Sequence, residues 1–472
     1  MSAERGQSVV SVVRSGWSRA MFSRRFAYFA GVVIPLSWLV AHWRAPLVED
    51  ALFWFVPTAI QQAESGPVFA AHGALPAAVA TPGAAIPPQW GSGLPDYAHP
   101  PIWYWWLGTF LRQAATLDMV RVACVLPAIA VGVGFVALGD THRRPLAGLM
   151  VWTIPGVLAQ ILRPELDLPL LACVPWALVA LKRRCWHTFG LVAALATWLK
   201  EPGVLLFVPG FVEAVRRREA RWQVLMPLAA LAAWAGIHNG LAPVLQRPTS
   251  WGQIGDNLLG VGRFLTFDQG RVVLLVGAAA LLAAPVELSL VLAFSLFFAY
   301  VRYYATSGNQ DAYTHLRYLL PAVAVYVVAA SARLRPPLAL AQLFWLHRIH
   351  ENGPEGSMAG VDAAYADRAA LESLPVDAEP WVGTYLAAGV GRTWTGYPDK
   401  PIRVYSFETT PGELSYGDLL VVSAYGEPAT RLERALRVES VSTWHVGEVE
   451  TRIVRVIGHN PKGWVPAVAP PR

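Results

Sequence analysis

Apolar residues fall in long unbroken blocks along most of this chain, not in the one-faced or alternating patterns of soluble elements. Runs without Asp, Glu, Lys or Arg cover residues 26–43, 122–139, 145–162, 168–181, 185–199, 222–246, 272–286, 288–301 and 318–332, with shorter ones at 202–212 and 336–347. A bilayer-spanning helix needs about 20 apolar residues, and shorter runs reach that length when a charged end snorkels outward or faces a cavity. The pattern predicts a mostly α, polytopic membrane helix bundle over residues 1–350, with about eleven transmembrane helices. After residue 350 the pattern changes. Residues 362–374 and 428–436 have helical spacing, whereas 381–388, 402–407, 418–424 and 449–457 read as strands. That order predicts a small α/β domain over 351–472, long enough to hold its own core.

Composition strengthens the membrane reading. Hydrophobic residues make up 54% of the 472 positions and charged residues 15%, against about a quarter charged in a soluble domain. A single water-soluble enzyme and a disordered chain are both excluded. Charge is also unevenly placed: residues 1–350 carry 27 Lys/Arg and 16 Asp/Glu, and residues 351–472 carry 11 and 16. The basic surplus belongs to the apolar body, so no nucleic-acid partner is expected.

The surplus reads as an orientation signal. Arg14, Arg19, Arg24 and Arg25 precede the first run, and no small-x-small cleavage site follows Trp38-Leu39-Val40, so this is an uncleaved first helix. Alternating sides from a cytoplasmic N-terminus puts Arg143-Arg144, Lys182-Arg183-Arg184, Arg216-Arg217-Arg218 with Arg221, and Arg333 with Arg335 inside. Eleven crossings then leave the acidic C-terminal domain extracytoplasmic. Arg outnumbers Lys 34 to 4, amid abundant Ala, Gly and Pro, which hints at a bacterial source and hence a bacterial cytoplasmic membrane. Pro35, Pro127, Pro155, Pro175, Pro209, Pro285 and Pro321 lie in the apolar runs and predict irregular helices. Cys124, Cys173 and Cys185 build neither a disulfide framework nor a Cys-based metal site.

The segment 44–118 reads as an elaborate first outer loop. It opens on a carboxylate pair, Glu49-Asp50, followed by a short interfacial helix over 51–63 with Phe53, Trp54 and Phe55. Residues 65–95 hold six prolines and five glycines, a structured loop despite an apolar stretch at 68–86. The loop closes on Tyr97-Ala98-His99-Pro100-Pro101-Ile102-Trp103-Tyr104-Trp105-Trp106, where two prolines introduce an aromatic helix suited to the headgroup level.

The carboxylate pair past the first membrane helix, the aromatics, Glu64-Ser65-Gly66 and the His-Pro-Pro-aromatic helix resemble the GT-C superfamily of integral-membrane glycosyltransferases. The protein O-mannosyltransferase and aminoarabinose-transferase-like groups, which use lipid-phosphate sugars, are the most similar. Further pieces agree in order: Arg163-Pro164-Glu165-Leu166-Asp167, Thr197-Trp198-Leu199-Lys200-Glu201-Pro202 and Arg317-Tyr318-Leu319-Leu320-Pro321. The resemblance covers about 1–350. It departs from the family where Glu49 stands in place of the more usual Asp and Phe53 in place of Tyr.

The resemblance implies an inverting transfer of sugar from a polyprenyl-phosphate donor to a lipid, glycan or protein acceptor, on the outer face of the membrane. Such chemistry needs a general base within reach of the acceptor hydroxyl and positive charge on the leaving phosphate. Asp50 is the expected base, with Glu49 as substitute. Arg163, Lys200, Arg263, Arg271, Arg302 and Arg317 stand at predicted outer helix ends as phosphate candidates, Lys200 and Arg317 first because their contexts match family motifs. Asp167 is a further substrate-binding candidate, its alternative being, as for Glu165, a simple ion pair with Arg163. His99 is a candidate for orienting the loop or touching substrate. The sequence identifies no cofactor, and a divalent metal remains open. Beside the donor and acceptor, membrane lipids are the expected partners. No Gly-x-x-x-x-Gly-Lys loop, His-Glu-x-x-His or Gly-x-Ser-x-Gly in strand–helix context is present. A transporter or flippase of lipid-linked sugars, and a lipid-glycan ligase, are the alternatives.

Overall fold

A computed structural model describes residues 4–48, 51–65, 99–237, 251–266, 279–301, 316–334, 359–405, 409–423, 432–447 and 449–460. Two compact units divide the chain. One comprises Met1–Ala41, Val125–Ile161 and Leu166–Arg348, and the other His42–Cys124, Leu162–Glu165 and Ile349–Arg472.

The described helices follow the apolar runs. They are α1 (Glu4–Ala41), α2 (Val56–Ser65, entered through a π-helical turn Ala51–Phe55), α3 (Ile102–Leu111), α4 (Leu117–Thr141), α5 (Pro155–Leu162), α6 (Asp167–Lys182), α7 (Trp186–Leu199), α8 (Phe207–Arg217), α9 (Met226–Ile237), α10 (Trp251–Thr266), α11 (Pro285–Val301) and α12 (Leu320–Ser331). Among the described residues, Ser23–Ala41 and Leu117–Thr141 are long and apolar enough to cross a bilayer. The 3-10 segment Pro145–Thr153 and α5 make a third if counted as one span bent by 76°. Trp186–Leu199, Trp222–Ile237, Pro285–Tyr300 and Arg317–Ser331 are shorter apolar helices. The expected eleven spans are therefore not all present as full-length helices among the described residues. The run 336–347, and parts of 222–246 and 272–286, lie outside them.

Proline explains part of the shortening. Pro35, Pro127 and Pro175 sit inside α1, α4 and α6 as expected. Pro155, Pro285 and Pro321 instead stand at the starts of α5, α11 and α12, where a missing N–H costs nothing.

In the first unit, α12 is apolar all round and every residue from Leu320 to Ser331 is buried, so it is the centre of the bundle. It packs against α11, α6 and the Pro145–Thr153 turn. Helices α1 and α4 approach closely at two glycines: a Cβ on Gly132 would lie 2.0 Å from the Gly31 carbonyl oxygen. The outward faces are apolar at helical spacing, with Phe26, Phe29, Val33 and Val40 on α1, Leu191 and Leu195 on α7, and Leu292 and Leu296 on α11 all exposed. Stripes of this kind on a helix bundle suit a lipid environment. Three of the turns in this unit end a helix through a left-handed arginine: Arg143 (φ 60°), Arg184 (φ 61°) and Arg218 (φ 55°). Glycine is the residue usually found there.

The second unit holds α2, α3 and a mixed sheet. The aromatic helix α3 packs on α2, with Trp103 and Tyr104 buried and Trp105 and Trp106 half-buried. Trp103 Nε1 donates to the Pro164 carbonyl (2.8 Å) and Trp106 Nε1 to that of Ala123 (2.9 Å). This aromatic run is thus fixed by packing and hydrogen bonds, beyond the headgroup placement expected from its composition. The sheet has the order β2-β1-β3-β5-β4, where β1 is Trp381–Gly383, β2 Arg403–Tyr405, β3 Leu419–Val422, β4 Leu436–Val446 and β5 Val449–His459. Strand β1 pairs parallel with β2 and β3, and β5 pairs antiparallel with β3 and β4. Alternation on β5 sends Ile453 to one core, with Leu371 of α13 (Ala359–Ser373) and Leu374 just after that helix, and Val454 and Val456 to the other, with Leu420 and Leu432.

Two details of this region correct the sequence reading. The strand expected over 381–388 stops at Gly383 and turns into the short helix α14 (Thr384–Ala387). The helix expected to reach residue 436 gives way there to β4, an 11-residue strand paired along its length with β5. Its burial pattern is mostly exposed, so it lacks the apolar alternation that marks a strand in sequence. Backbone bonds tie this region to the earlier part of the same unit: Leu47 N–H to Thr395 (2.8 Å) and Leu117 N–H to Thr393 (3.3 Å). Asp367 is buried and accepts from Thr451 Oγ1 (2.6 Å) and Ser423 Oγ (2.7 Å). Burial pushes its carboxyl up to about 6.

Candidate active site

Asp167 is the first residue of α6, where the helix dipole favours a carboxylate. Lys200 follows the last residue of α7. Its backbone leaves the helix in an extended conformation (φ −157°, ψ 136°) and a 3-10 turn, Glu201–Leu206, begins at once. Gly203 makes that turn possible, because a Cβ there would lie 2.3 Å from the Ala196 carbonyl carbon. Arg317 sits in the 3-10 turn Leu316–Leu319 that Pro321 converts into α12.

These three helix ends converge. Lys200 Nζ donates to Asp167 Oδ1 at 2.6 Å, and Arg317 Nε lies 3.8 Å from Asp167 Oδ2. Tyr318 supplies a shared aromatic face, with Lys200 Nζ 4.2 Å and Arg317 Cζ 5.4 Å from its ring centroid. The side chains of Asp167, Lys200 and Arg317 are 3%, 2% and 7% exposed. Two cations on one carboxylate, held by an aromatic ring and shielded from water, form a rigid electrostatic site of the kind used to stabilise an anion. Burying such groups carries a desolvation cost that a purely apolar contact avoids.

The remaining sequence candidates fall elsewhere. Arg163 and Glu165 are buried in the second unit, Arg163 Nη1 3.8 Å from Glu165 Oε1. His99 is half-buried, its ring stacked on Phe55 at 6.5 Å between centroids, and Phe55 also stacks on Tyr104 at 6.1 Å. Arg263 lies on α10. Glu49, Asp50, Arg271 and Arg302 lie outside the described residues, as does the loop over 66–98. Among the described residues no group of three or more His, Cys, Asp or Glu could hold a metal ion.

Three features were not singled out from sequence. Tyr318 was quoted only as part of a motif. Arg121 is fully buried and donates to the backbone carbonyls of Ala45, Leu162 and Trp43, tying three segments of the second unit together. Its signal was a charge at the edge of the apolar run 122–139. Glu287, 1% exposed, lies 2.6 Å from Lys182 Nζ and 2.7 Å from His142 Nε2. Its signal was a lone acid interrupting two apolar runs, which reads first as a span boundary.

No protein-family model matches the chain, and no curated protein matches it. Among solved structures, the chain is similar to ArnT from Cupriavidus metallidurans bound to undecaprenyl phosphate, at 14% identity over 90% of this chain and 97% of that one, with TM-score 0.49. It is also similar to the same protein in the apo state, at 12% identity over 96% of this chain and 100% of that one, with TM-score 0.44.

Proposed function

We propose that the chain is an integral-membrane glycosyltransferase that takes a sugar from a polyprenyl-phosphate donor and transfers it, with inversion, to a lipid, glycan or protein acceptor. The observation that carries this reading is the buried Asp167–Lys200–Arg317 cluster with its Tyr318 face. Lys200 and Arg317 hold the donor phosphate and stabilise the charge that grows on it as the glycosidic bond breaks. Asp167 keeps both cations in place while the site is empty. Asp50, or Glu49 in its place, takes the proton from the acceptor hydroxyl as that oxygen attacks the anomeric carbon. His99, Arg163 and Arg302 are assigned to donor or acceptor binding around this centre. The reaction lies at the outer face of a bacterial cytoplasmic membrane, where the donor's polyprenyl chain stays in lipid. The domain boundaries of this reading are 1–350 for the membrane body and 351–472 for an extracytoplasmic α/β domain.

The test compares surface glycolipids and glycoproteins of a deletion strain by mass spectrometry, complemented with wild type, Asp50→Asn, Glu49→Gln, Lys200→Ala or Arg317→Ala. The proposal expects one glycan to disappear on deletion and to return only with wild type or the non-catalytic member of the acidic pair. Removal of the base lowers transfer about 10²–10⁴-fold. Full restoration by both acidic variants sinks the base assignment. Purified protein that moves lipid-linked sugar across vesicles without transferring it makes the chain a flippase. Orientation has its own check, because Cys185 is exposed near the Lys182 end of α6 while Cys124 and Cys173 are buried. An impermeant thiol reagent should label Cys185 only after lysis, and labelling of intact cells reverses the orientation.

A further inference from the structure

Helix α6 carries ionic groups at both ends, and its second end lines a cavity that the proposed transfer does not use. The cavity measures about 530 Å³ and lies within the first unit, at the ends of α4, α6, α8 and α12 and the start of α11. Its lining includes Lys182, Arg183, Arg216, Arg217 and Arg333 against Asp140, Glu213 and Glu287.

The acids are already answered. Asp140 Oδ2 lies 2.7 Å from Arg24 Nη2, and Tyr28 OH donates to it at 3.5 Å. Glu213 accepts from Arg216 Nε (2.7 Å) and Nη2 (2.8 Å) and from Arg217 Nε, so two guanidiniums share one carboxylate. Glu287 is held by Lys182 and His142. Among the described residues no acid lies within ion-pair distance of the Arg183 or Arg333 guanidinium, and Arg333 Nη1 donates to the Ala329 carbonyl at 2.7 Å. Cations at helix C-termini answer the helix dipole. Here they also border an open volume and exceed the acids around it.

We propose that this cavity is an anion site for a phosphate group, with Arg183 and Arg333 as its principal contacts and the Arg216–Arg217 pair at its rim. A basic pocket between apolar helix ends fits the phosphodiester of an anionic lipid headgroup, and a soluble phosphate shares that chemistry. Glu287, Lys182 and His142 line the same cavity.

The test uses purified full-length protein in a neutral detergent and follows its thermal unfolding midpoint during titration with phosphatidylglycerol, phosphatidylcholine or inorganic phosphate. Phosphatidylglycerol should stabilise wild type at lower concentration than phosphatidylcholine. The double variant Arg183→Gln, Arg333→Gln should need roughly thirtyfold more phosphatidylglycerol, as two cations near an anionic surface imply. The double lysine variant should largely recover binding, which separates lost charge from lost folding. Arg25→Gln, an exposed charge that is not among the cavity's lining residues, should change little. A shift with inorganic phosphate that the double variant also loses supports the site and makes its source soluble. Equal stabilisation by both lipids with no effect of phosphate, wild-type binding by the double variant, or an equal loss in Arg25→Gln overturns the proposal.

Discussion

The two ends of α6, about 24 Å apart by helical rise, solve one electrostatic problem differently. At the Asp167 end, carboxylate, ammonium and guanidinium are all nearly inaccessible, and the cations also lie over Tyr318. At the Lys182 end, only the carboxylate is sealed: Glu287 is 1% exposed, but His142 is 13% and Lys182 22% exposed. A cluster closed to water keeps its field and its geometry, which suits chemistry on a charged leaving group. A cluster whose cations reach solvent can exchange partners, which suits reversible binding. The difference lies in whether the cations are sealed along with the carboxylate, more than in the number of charges.

The largest effect expected breaks this comparison in function. Lys200→Ala or Arg317→Ala should lower sugar transfer from undecaprenyl-phosphate donors by about 10²–10³-fold, whereas Lys182→Ala should stay within about threefold. Equal losses in a transfer assay would erase the functional distinction between the ends. The next effect is on stability. Asp167→Asn leaves buried cations facing a neutral group and should cost about 3–5 kcal/mol, while Glu287→Gln should cost about 1–3 kcal/mol because water reaches Lys182 and His142. Denaturant unfolding of the two variants in one detergent measures the difference.

Asp367 sharpens the same contrast from the other unit, as a buried carboxylate met by hydroxyls instead of cations. Its folded value of about 6 lies above the reference 3.8, so the folded state holds the proton more tightly. Its contribution is therefore greatest below pH 4 and declines as pH rises to about 6, by on the order of 3 kcal/mol in all. Thermal unfolding of Asp367→Asn across pH 4–7 should lack that slope, and an unchanged slope would point to another group. The smallest effect concerns the cavity rim. Arg216→Gln should change stability by less than about 1 kcal/mol, since Arg217 still holds Glu213 and the Arg216 side chain is 51% exposed.

Much of the bundle was legible because burial in lipid and burial in protein leave the same apolar trace. Pro155, Pro285 and Pro321 were read as lying inside spans, yet they begin helices. An apolar run carries no mark of where its helix starts, so the bend before α5 and the 3-10 turns were invisible. Lys200 and Arg317 were singled out through motif context, and Asp167 lay in the motif beside Arg163. Their convergence depends on Gly203 and on where α7 and α12 begin and end, facts of packing that spacing does not encode. Strand β4 was missed for the opposite reason, since its exposed faces carry polar and charged residues. Glu287 looked like punctuation because a single acid between apolar runs has no helical partner in sequence; its partners lie 105 and 145 residues earlier, at Lys182 and His142.

The arginines at positions 143, 184 and 218 turn their chains through a left-handed conformation, at a cost of about 1–2 kcal/mol each that glycine would avoid. In a chain oriented as proposed, that cost belongs to the finished fold, while its benefit falls earlier, during insertion. Each arginine raises the barrier to dragging its turn across the bilayer, by about 2.5–3.5 kcal/mol for a guanidinium at mid-depth. A thermostabilised variant with glycine at all three turns would therefore have tighter helix ends and a weaker topological address. Its expected failure is a fraction of molecules threaded the wrong way round.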